Sequence, residues 1–294
     1  MTSSEGRVAV IGATSLIGEY LLPLLVRTGY DVEAFSRRAL PAEEKKKEDG
    51  VIWRHLPADH YSNEAMTAKW ICLAPIWVLP AYFDMLLSCG VEHIVAFSST
   101  SRFTKCSSSD AVEARLADLL MESEAQVTRW ADHHRIRWTL LRPTMVYGLG
   151  RDQNISAIAR FIRRFSFFPL LGEARGLRQP VHAQDVAWCG MAALGAKKAC
   201  SRSYNISGGE TLVYRDMVER IFAALGRKPR FARIPLWLFR MVFFFLRLLP
   251  AFHHWSPAMI ERMNMDLVFD HHDAAADLNF SPRPFQPTPE DLSG

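Results

Sequence analysis

The sequence has 294 residues, of which 49% are hydrophobic and 22% are charged, and its formal net charge at pH 7 is +4. This composition is typical of a globular protein and excludes collagen-like, disordered and disulfide-rich secreted chains. The length is sufficient for one large α/β unit or two modest domains with a buried core. A charge this small, spread along the chain, does not indicate binding to nucleic acid.

Neither the first residues nor any internal segment indicates export or a membrane span. Residues 1–6 lack a basic stretch followed by an apolar one, so we expect no secretory signal. No run of eighteen apolar residues occurs, so we expect no membrane-spanning helix. The five cysteines are widely spaced and contain no C-x-x-C pair. They predict reduced thiols, no metal site and a cytoplasmic location.

The first half of the chain alternates between predicted strands and helices. Short apolar, β-branched runs predict strands at 8–11, 32–35, 51–53, 70–73, 94–97 and 138–141. Segments of helical periodicity predict helices at 16–26, 80–88 and 111–130, and beyond Gly148 at 155–165 and 214–225. Strands that alternate with helices at this spacing predict an α/β fold with a doubly wound parallel sheet.

A glycine-containing turn joins the first predicted strand to the first predicted helix. Its sequence is Gly12-Ala13-Thr14-Ser15-Leu16-Ile17-Gly18. In such units the pyrophosphate of a dinucleotide docks on the helix N-terminus, the first glycine permits the tight turn and the last lets the helix pack closely on the strand. Ser15 stands where a third glycine is usual, and its hydroxyl can donate to a phosphate. We predict a dinucleotide-binding turn, the alternative being a tight turn without a ligand.

The end of the second predicted strand distinguishes between two dinucleotides. NAD-binding folds usually carry a carboxylate there for the ribose 2′-hydroxyl, whereas NADP-binding folds offer an arginine. Here the strand ends at Ser36, Arg37 and Arg38 follow, and Glu33 comes too early. Because a guanidinium can fork onto a 2′-phosphate, the sequence favours NADP(H) over NAD(H). The alternative is that both arginines are solvated charges on a loop.

Five segments, taken in order, carry a resemblance to a known family. They are Gly12–Gly18, Ile94–Ser99, Leu141–Gly148, Pro180–Ala187 and Tyr204–Glu210. With these segments the chain resembles the extended short-chain dehydrogenase/reductase family, of the NAD-dependent epimerase/dehydratase type. The resemblance implies an NADP(H)-binding Rossmann domain over 1–148. It also implies a smaller substrate-capping region over 149–294, from which residues about 180–207 return to the sheet.

The resemblance assigns further positions to the dinucleotide. Leu56 falls near the adenine, although this chain has His55 where the family usually has aspartate. The remaining implied contacts, at the nicotinamide and its ribose, are Leu73, Ala74, Pro75, Ser98, Pro143 and Thr144.

The family's catalytic machinery is incomplete in this chain. In the family a Ser or Thr acts with a Tyr-x-x-x-Lys pair, whose tyrosine is the acid/base and whose lysine, one helical turn on, lowers the tyrosine's pKa. Ser99 occupies the first position, and we expect it to polarise the reacting oxygen. None of the seven tyrosines is followed four residues later by lysine, and residues 111–130 contain neither type. Lys105 is a candidate substitute for this pair, either as the acid or as the residue that holds the ribose. The alternative is that Lys105 belongs to a polar surface loop.

Two residues of the C-terminal half are candidate substrate contacts. Arg178 is expected either to meet a substrate phosphate or to form a structural salt bridge. His182 belongs to the Val-His-x-x-Asp-Val segment that the family shares. In that segment we expect Asp185 to fix a helix start rather than to catalyse.

Residues 235–250 form the most apolar segment of the chain. The 14 positions between Pro235 and Pro250 would span about 21 Å as a helix, less than the ~30 Å hydrocarbon core of a bilayer. Arg233, Arg240 and Arg247 recur every seven residues and share a helical face. Three interpretations remain: a packed helix of the capping region, the wall of a site for a hydrophobic or lipid-linked substrate, or a helix at a membrane surface.

Two hypotheses of different classes follow. The first is an atypical oxidoreductase or epimerase that binds NAD(P)(H) and acts on a nucleotide-sugar, hydrophobic or lipid-linked hydroxyl or carbonyl compound. The second is a non-catalytic NADPH-binding scaffold or redox sensor. The missing Tyr-x-x-x-Lys pair favours the second, as does a similarity to the atypical branch that includes the nucleotide-binding accessory subunit of respiratory complex I. Both hypotheses place the protein in the cytoplasm, free or at the inner face of a membrane.

Overall fold

The structure is a computed structural model that describes residues 6–37, 50–56, 66–106, 110–234 and 263–293. The predicted phosphate contact of Arg38 and the three interpretations of residues 235–250 therefore lie outside the described residues.

A seven-stranded parallel sheet forms the centre of the fold. Its strands are β1 (Arg7–Ile11), β2 (Asp31–Ser36), β3 (Val51–His55), β4 (Lys69–Cys72), β5 (His93–Phe97), β6 (Arg137–Pro143) and β11 (Arg202–Ile206). They lie side by side in the order β11-β6-β5-β4-β1-β2-β3, and every neighbouring pair is parallel. The strand order reverses between β1 and β4, which is where doubly wound sheets open a crevice at the carboxyl ends of their strands. The predicted α/β fold class is confirmed.

Helices cover both faces of this sheet. The helices in the described ranges are α1 (Leu16–Arg27), α2 (Phe83–Ser88), α3 (Ser101–Thr104), α4 (Ala111–His133), α5 (Ile155–Phe165), α6 (Ala183–Gly195), α7 (Tyr214–Ala224), α8 (His272–Leu278) and α9 (Pro289–Leu292). Helices α1, α6 and α8 share one buried cluster with β1, whereas α2 and α4 share another on the opposite face. Across the described parts of the chain, no helix combines the length and the apolar character needed to cross a membrane.

The helix predicted over 80–88 differs from the observed one. A 3₁₀ helix runs over Ile76–Tyr82, and α-helical geometry begins only at Phe83. Pro80 lies inside the 3₁₀ segment and has no amide hydrogen, so the α-helical bond back to residue 76 cannot form there.

The C-terminal region has a buried cluster of its own. In its described part, the C-terminal region contains three two-stranded sheets: β7 (Val146–Tyr147) with β10 (Val181–His182), β9 (Leu177–Arg178) with β12 (Leu212–Val213), and β8 (Phe168–Leu171) with β13 (Phe231–Ile234). Helices α5 and α7 pack on these strands through buried residues such as Ile162, Ile221 and Phe222. The chain then places β11 beside β6 in the large sheet. The exact domain boundary at Gly148 stays a prediction.

Candidate functional site

The glycine turn between β1 and α1 is tightly enclosed by its neighbours. Gly12 has φ of +76°, and a Cβ atom at that position would lie 2.5 Å from the backbone nitrogen of Ala74. The amides of Gly12 and Ala13 both donate to the carbonyl of Phe35, at 3.2 and 3.3 Å. The turn therefore lies against the ends of β2 and β4, and its backbone path requires glycine at position 12.

The N-terminus of α1 begins directly after this turn. Ser15 caps the helix, and its Oγ accepts a hydrogen bond from the amide of Gly18 at 3.2 Å. A Cβ at Gly18 would lie 1.9 Å from the carbonyl oxygen of Ala13. The first amides of a helix lack intrahelical partners, so those of Leu16 and Ile17 are suited to an anion. The Ser15 hydroxyl keeps its own proton for donation, because in the cap it serves as an acceptor.

Among the described residues, the carboxyl end of β2 presents an arginine and no carboxylate. Ser36 is buried and its carbonyl accepts from the amide of Leu56 at 2.8 Å, so the ends of β2 and β3 are held together. Arg37 follows as an exposed residue. Glu33 is 2% exposed, lies inside the strand and is 3.3 Å from a guanidinium nitrogen of Arg54. Its carboxylate is thus occupied within the fold, away from the strand end.

Arg151 contacts the glycine turn from the C-terminal region, a contact that was not predicted. Its Nη2 donates to the carbonyl of Thr14 at 2.7 Å, and its Nη1 pairs with Glu19 in the first turn of α1. These partners are 137 and 132 residues away along the chain. No local pattern in the sequence could have predicted such a contact.

The ends of β4, β5 and β6 bring the other predicted dinucleotide contacts to the same edge. Leu73 is buried and donates its amide to the carbonyl of Ile11 at 2.8 Å, while Pro75 is exposed. The Oγ of Ser98 is buried and has no hydrogen-bond partner among the described residues. Buried polar atoms are normally satisfied, so this hydroxyl is suited to a bound group.

Ser99 and Thr144 have partners within the protein. The Oγ of Ser99 accepts from the amide of Ser101 at 3.1 Å, which leaves its proton available to a substrate oxygen. Thr144 donates its hydroxyl to the carbonyl of Gln179 at 2.5 Å, and Pro143 precedes it as a buried residue.

Helix α4 presents no acid/base pair to this edge. Its 23 residues include neither tyrosine nor lysine, and its buried face consists of Ala117, Leu120, Ser123, Glu124, Val127 and Ala131. Tyr147 lies just beyond β6, but it is 1% exposed and burial raises its pKa. A phenol in that environment does not exchange protons readily near neutral pH.

A buried carboxylate shared by two arginines was also missed by the sequence analysis. Glu124 is 3% exposed. It accepts from the Nη2 of Arg142 at 2.7 Å and from the Nε of Arg142 at 3.0 Å, and it also pairs with Arg102. The ring of Phe103 lies 5.0 and 5.5 Å from the two guanidinium carbons. This cluster fixes α4 to the end of β6, close to Ser99.

Lys105 lies at the end of α3 and faces α4. Its Nζ is 3.8 Å from a carboxylate oxygen of Glu113, and the side chain is 22% exposed. The ion pair orients the ammonium group toward the first turn of α4. The predicted role of Lys105 as an acid or ribose anchor stays a prediction.

Arg178 is buried and its guanidinium is bound by carbonyl groups of the fold. It donates to the carbonyls of Leu177 and Met265, at 2.7 Å each, and lies 5.3 Å from the ring of Tyr214. Burial lowers its pKa. These contacts connect β9 to the segment after residue 262, and the predicted phosphate contact stays untested.

His182 is buried with both ring nitrogens engaged. Its Nδ1 accepts from the amide of Gln184 at 3.1 Å and its Nε2 lies 2.9 Å from Asp291, so the proton is on Nε2. Burial opposes ionisation of Asp291, but the hydrogen bonds from His182 and Thr288 outweigh it and hold the pKa of Asp291 below its ordinary value. His182 is the cap of α6, whereas Asp185 binds Arg283 instead of capping the helix. The predicted substrate role of His182 stays untested.

Comparison with known proteins confirms the resemblance that the sequence suggested. The model of the NAD dependent epimerase/dehydratase family matches residues 83–207. Subunit 9 of the NADH dehydrogenase [ubiquinone] 1 alpha subcomplex, mitochondrial, from Arabidopsis thaliana is 26% identical over 98 residues, which are 33% of this chain and 24% of that protein. UDP-glucose 4-epimerase from Vibrio cholerae is 22% identical over 120 residues, or 41% of this chain and 37% of that protein. The chain thus matches less than half the length of either relative.

The fold is similar to that of solved nucleotide-sugar epimerases. The UDP-glucuronic acid 4-epimerase from Bacillus cereus, in complex with NAD, superposes with a TM-score of 0.71 at 15% identity. The superposition covers 98% of this chain and 94% of that chain. At this identity the likeness concerns the fold.

Proposed function

We propose, from the family match over residues 83–207 and from the turn at Gly12–Gly18, that this chain binds a nicotinamide dinucleotide at the carboxyl edge of its sheet. The carrying observation is the Gly12 turn, where any side chain would collide with the backbone of Ala74. A pyrophosphate would rest on the amides that open α1, and the Ser98 hydroxyl would acquire a partner.

NADP(H) is the proposed form of the dinucleotide. Two residues of this region support NADP(H). Arg37 is exposed at the end of β2. Glu33 is the only acidic residue of β2 after Asp31, and its carboxylate is paired with Arg54 inside the fold. A guanidinium at that position complements a 2′-phosphate and has little to offer a ribose 2′-hydroxyl. The solved neighbour named above was crystallised with NAD, which does not favour this preference.

The proposed reaction is redox or epimerase chemistry on a hydroxyl or carbonyl group. Bound nicotinamide accepts or donates a hydride. Ser99 would hold the substrate oxygen with its free proton, because its acceptor side is used by Ser101. The substrate class follows from the epimerase relatives and from the apolar segment 235–250: a nucleotide-sugar, a hydrophobic compound or a lipid-linked sugar. Contact of that segment with the inner face of a membrane and a cytoplasmic location belong to the same proposal.

One observation favours a second function, a non-catalytic NADPH-binding scaffold or redox sensor. Among its 23 residues, helix α4 contains neither member of the tyrosine–lysine pair. Without that pair the usual proton route to a substrate hydroxyl is absent. In this alternative the dinucleotide stabilises the fold through its binding energy alone.

Titration of the full chain with NADPH and NADH tests the binding proposal. We expect tighter binding of NADPH, and we expect Arg37→Ala to remove the preference while leaving NADH binding unchanged. Arg129→Ala, an exposed arginine on α4, is the matched control and should change neither affinity. Equal affinities that do not respond to Arg37→Ala would refute the 2′-phosphate contact.

Single-turnover reactions of the bound cofactor separate the two functions. The protein loaded with NADPH is mixed with carbonyl compounds, the protein loaded with NADP⁺ is mixed with nucleotide-sugars and other hydroxyl compounds, and the absorbance of NADPH is followed. A change of absorbance that depends on Ser99, tested with Ser99→Ala, supports the enzyme, whether a carbonyl consumes NADPH or oxidation of a hydroxyl forms it. Tight cofactor binding with no change of absorbance for any compound supports the scaffold.

A further inference from the structure

Exposed aromatic and basic side chains form a surface on the C-terminal half of α5, the turn that follows it and the loop before β13. We name it the basic aromatic surface, and its members are Arg160, Arg164, Phe165, Phe167, Lys228 and Arg230, all exposed. Phe165 is 49% exposed and Phe167 is 36% exposed. Large exposed apolar side chains close to one another on a folded surface indicate a contact with a partner.

The local structure holds this surface together. Phe165 and Phe167 both pack on Phe161, with ring centroids 4.7 and 5.7 Å away. Between them Ser166 ends α5 with φ of +61°. This turn projects the two rings from the end of the helix.

The loop before β13 is fastened to the same turn. Arg227 donates to the carbonyl of Ile162 at 2.7 Å and to the Oγ of Ser166 at 3.0 Å. The amide of Phe168 donates to the carbonyl of Arg230 at 2.9 Å. Lys228 and Arg230 are therefore brought beside the two phenylalanines and form one surface with them.

The charge of the two contributing segments is entirely positive. Residues 153–172 and 226–234 together contain seven arginine or lysine residues and no aspartate or glutamate. The whole chain, by contrast, has 35 basic and 31 acidic residues. Local charge of one sign indicates a partner of the opposite sign.

We propose that the basic aromatic surface binds the anionic phospholipid headgroups of a bilayer, with Phe165 and Phe167 inserted at the headgroup level. Aromatic side chains flanked by arginine and lysine are the composition of peripheral membrane-binding surfaces. The basic aromatic surface shares no residue with the proposed dinucleotide site or with residues 235–250. It would place the protein on a membrane by a rigid, folded part of the C-terminal region.

The arrangement of the rings favours a lipid surface over RNA. Binding of single-stranded RNA relies on open aromatic faces on which bases stack. Here Arg164 lies over the ring of Phe165, 5.6 Å from its centroid, and both exposed rings pack against Phe161. Insertion into a headgroup layer needs exposed apolar area but no free ring face.

Co-sedimentation of the full chain with vesicles tests the proposal. The vesicles contain phosphatidylcholine alone or phosphatidylcholine mixed with phosphatidylglycerol, and salt is varied. We expect binding only to the mixed vesicles, weakening as salt rises. Arg160→Gln with Arg164→Gln should weaken binding about fivefold per arginine. Phe165→Ser with Phe167→Ser should weaken it at every salt concentration.

Matched controls lie on α4. Arg115→Gln with Arg129→Gln removes the same charge from another exposed face, and Val112→Ser with Leu119→Ser removes exposed apolar area there. Both controls should bind vesicles as the parent does. NADPH affinity should be unchanged in every variant, so a loss of vesicle binding can be distinguished from a loss of dinucleotide binding. The proposal is overturned if both vesicle types bind equally, if the controls lose as much binding as the test variants, or if the surface variants lose binding to a single-stranded RNA instead.

Discussion

Arg151 donates a hydrogen bond to the carbonyl oxygen of Thr14, at 2.7 Å, and so joins the C-terminal region to the glycine turn. The loop that carries Arg151 is itself fixed, because the amide of Gly150 donates to the carbonyl of Asp291 at 2.8 Å. The proposed pyrophosphate site is therefore shaped by two distant parts of the chain. The turn depends on the C-terminal region for its position.

Arg151→Ala should weaken dinucleotide binding. Without the guanidinium the Thr14 carbonyl loses a charge-assisted hydrogen bond, and the turn must be ordered by the ligand instead. We expect about a tenfold rise in Kd, measured by calorimetry. Global stability should change by less than about 1 kcal/mol, because the Arg151–Glu19 pair is solvent-exposed. Arg215→Ala breaks the exposed pair with Glu219 and should leave Kd unchanged; an equal effect in both variants would contradict a specific role.

Two helical glycines should respond in opposite directions to alanine. A Cβ at Gly18 would lie 1.9 Å from the carbonyl of Ala13, so Gly18→Ala must displace the turn. We expect a loss of at least about 2 kcal/mol in the free energy of unfolding, typical of overpacking, together with loss of dinucleotide binding. At Gly195 no atom of the described residues lies within 4 Å of such a Cβ, and Gly195→Ala should be neutral or stabilising by up to about 1 kcal/mol. Urea unfolding of the two variants checks both signs.

Replacing the shared carboxylate should destabilise the protein strongly. Glu124→Gln leaves Arg142 and Arg102 near one another in a largely buried site without their counter-charge. The expected loss in the free energy of unfolding is about 3 kcal/mol. Glu92→Gln removes the carboxylate from the exposed pair with Arg137 and should cost less than about 1 kcal/mol. Similar midpoints of denaturation for the two variants would show that the Glu124 cluster contributes little.

His93 should make the protein less stable as the pH falls below neutrality. Burial, reinforced by the nearby Arg137, lowers the pKa of His93 from 6.5 to about 4. Between these values the unfolded chain binds a proton that the folded chain does not. The contribution of His93 is thus fully present above about pH 6.5 and is lost as the pH falls toward 4, with a limiting slope of about 1.4 kcal/mol per pH unit.

Denaturation of His93→Gln across this range provides the measurement. In the variant, the free energy of unfolding should fall less steeply between pH 6.5 and pH 4 than in the parent. This difference in slope is expected whatever the stability of the variant at pH 7. The exposed His133→Gln should keep the parent's slope. A slope that is the same in all three proteins would show that His93 titrates normally when folded.

Six of the seven strands of the sheet were predictable because each is encoded locally, whereas β11 was expected only from the family resemblance. The apolar runs at β1, β2, β4, β5 and β6 lie within two residues of the observed strands at each end. The cap of α4 could likewise be anticipated, since Asp110 precedes the helix and accepts from the amide of Val112. A buried parallel strand and a capped helix each have a recognisable pattern within a few consecutive residues.

The candidate site was predictable from the sequence only where its residues are neighbours along the chain or directly follow a strand. The Gly12–Gly18 turn and the residues after each strand could be assigned because parallel strands end at one edge. Arg151 and Glu124 could not, since their partners are brought together by tertiary packing. Arg178 shows a further limit: the sequence left open a substrate phosphate or a salt bridge, and it could not predict that the carbonyls of Leu177 and Met265 bind the guanidinium.

Helix α8 and the residues just after it complete the core that the first strand begins. Ala274, Leu278 and Phe280 belong to the same buried cluster as Val8 and Leu21. During synthesis the apolar cluster on this face of the sheet would therefore stay incompletely covered until residues 274–280 left the ribosome. Such a delay exposes a folding intermediate to aggregation, so removal of residues 274–280 should be tolerated poorly.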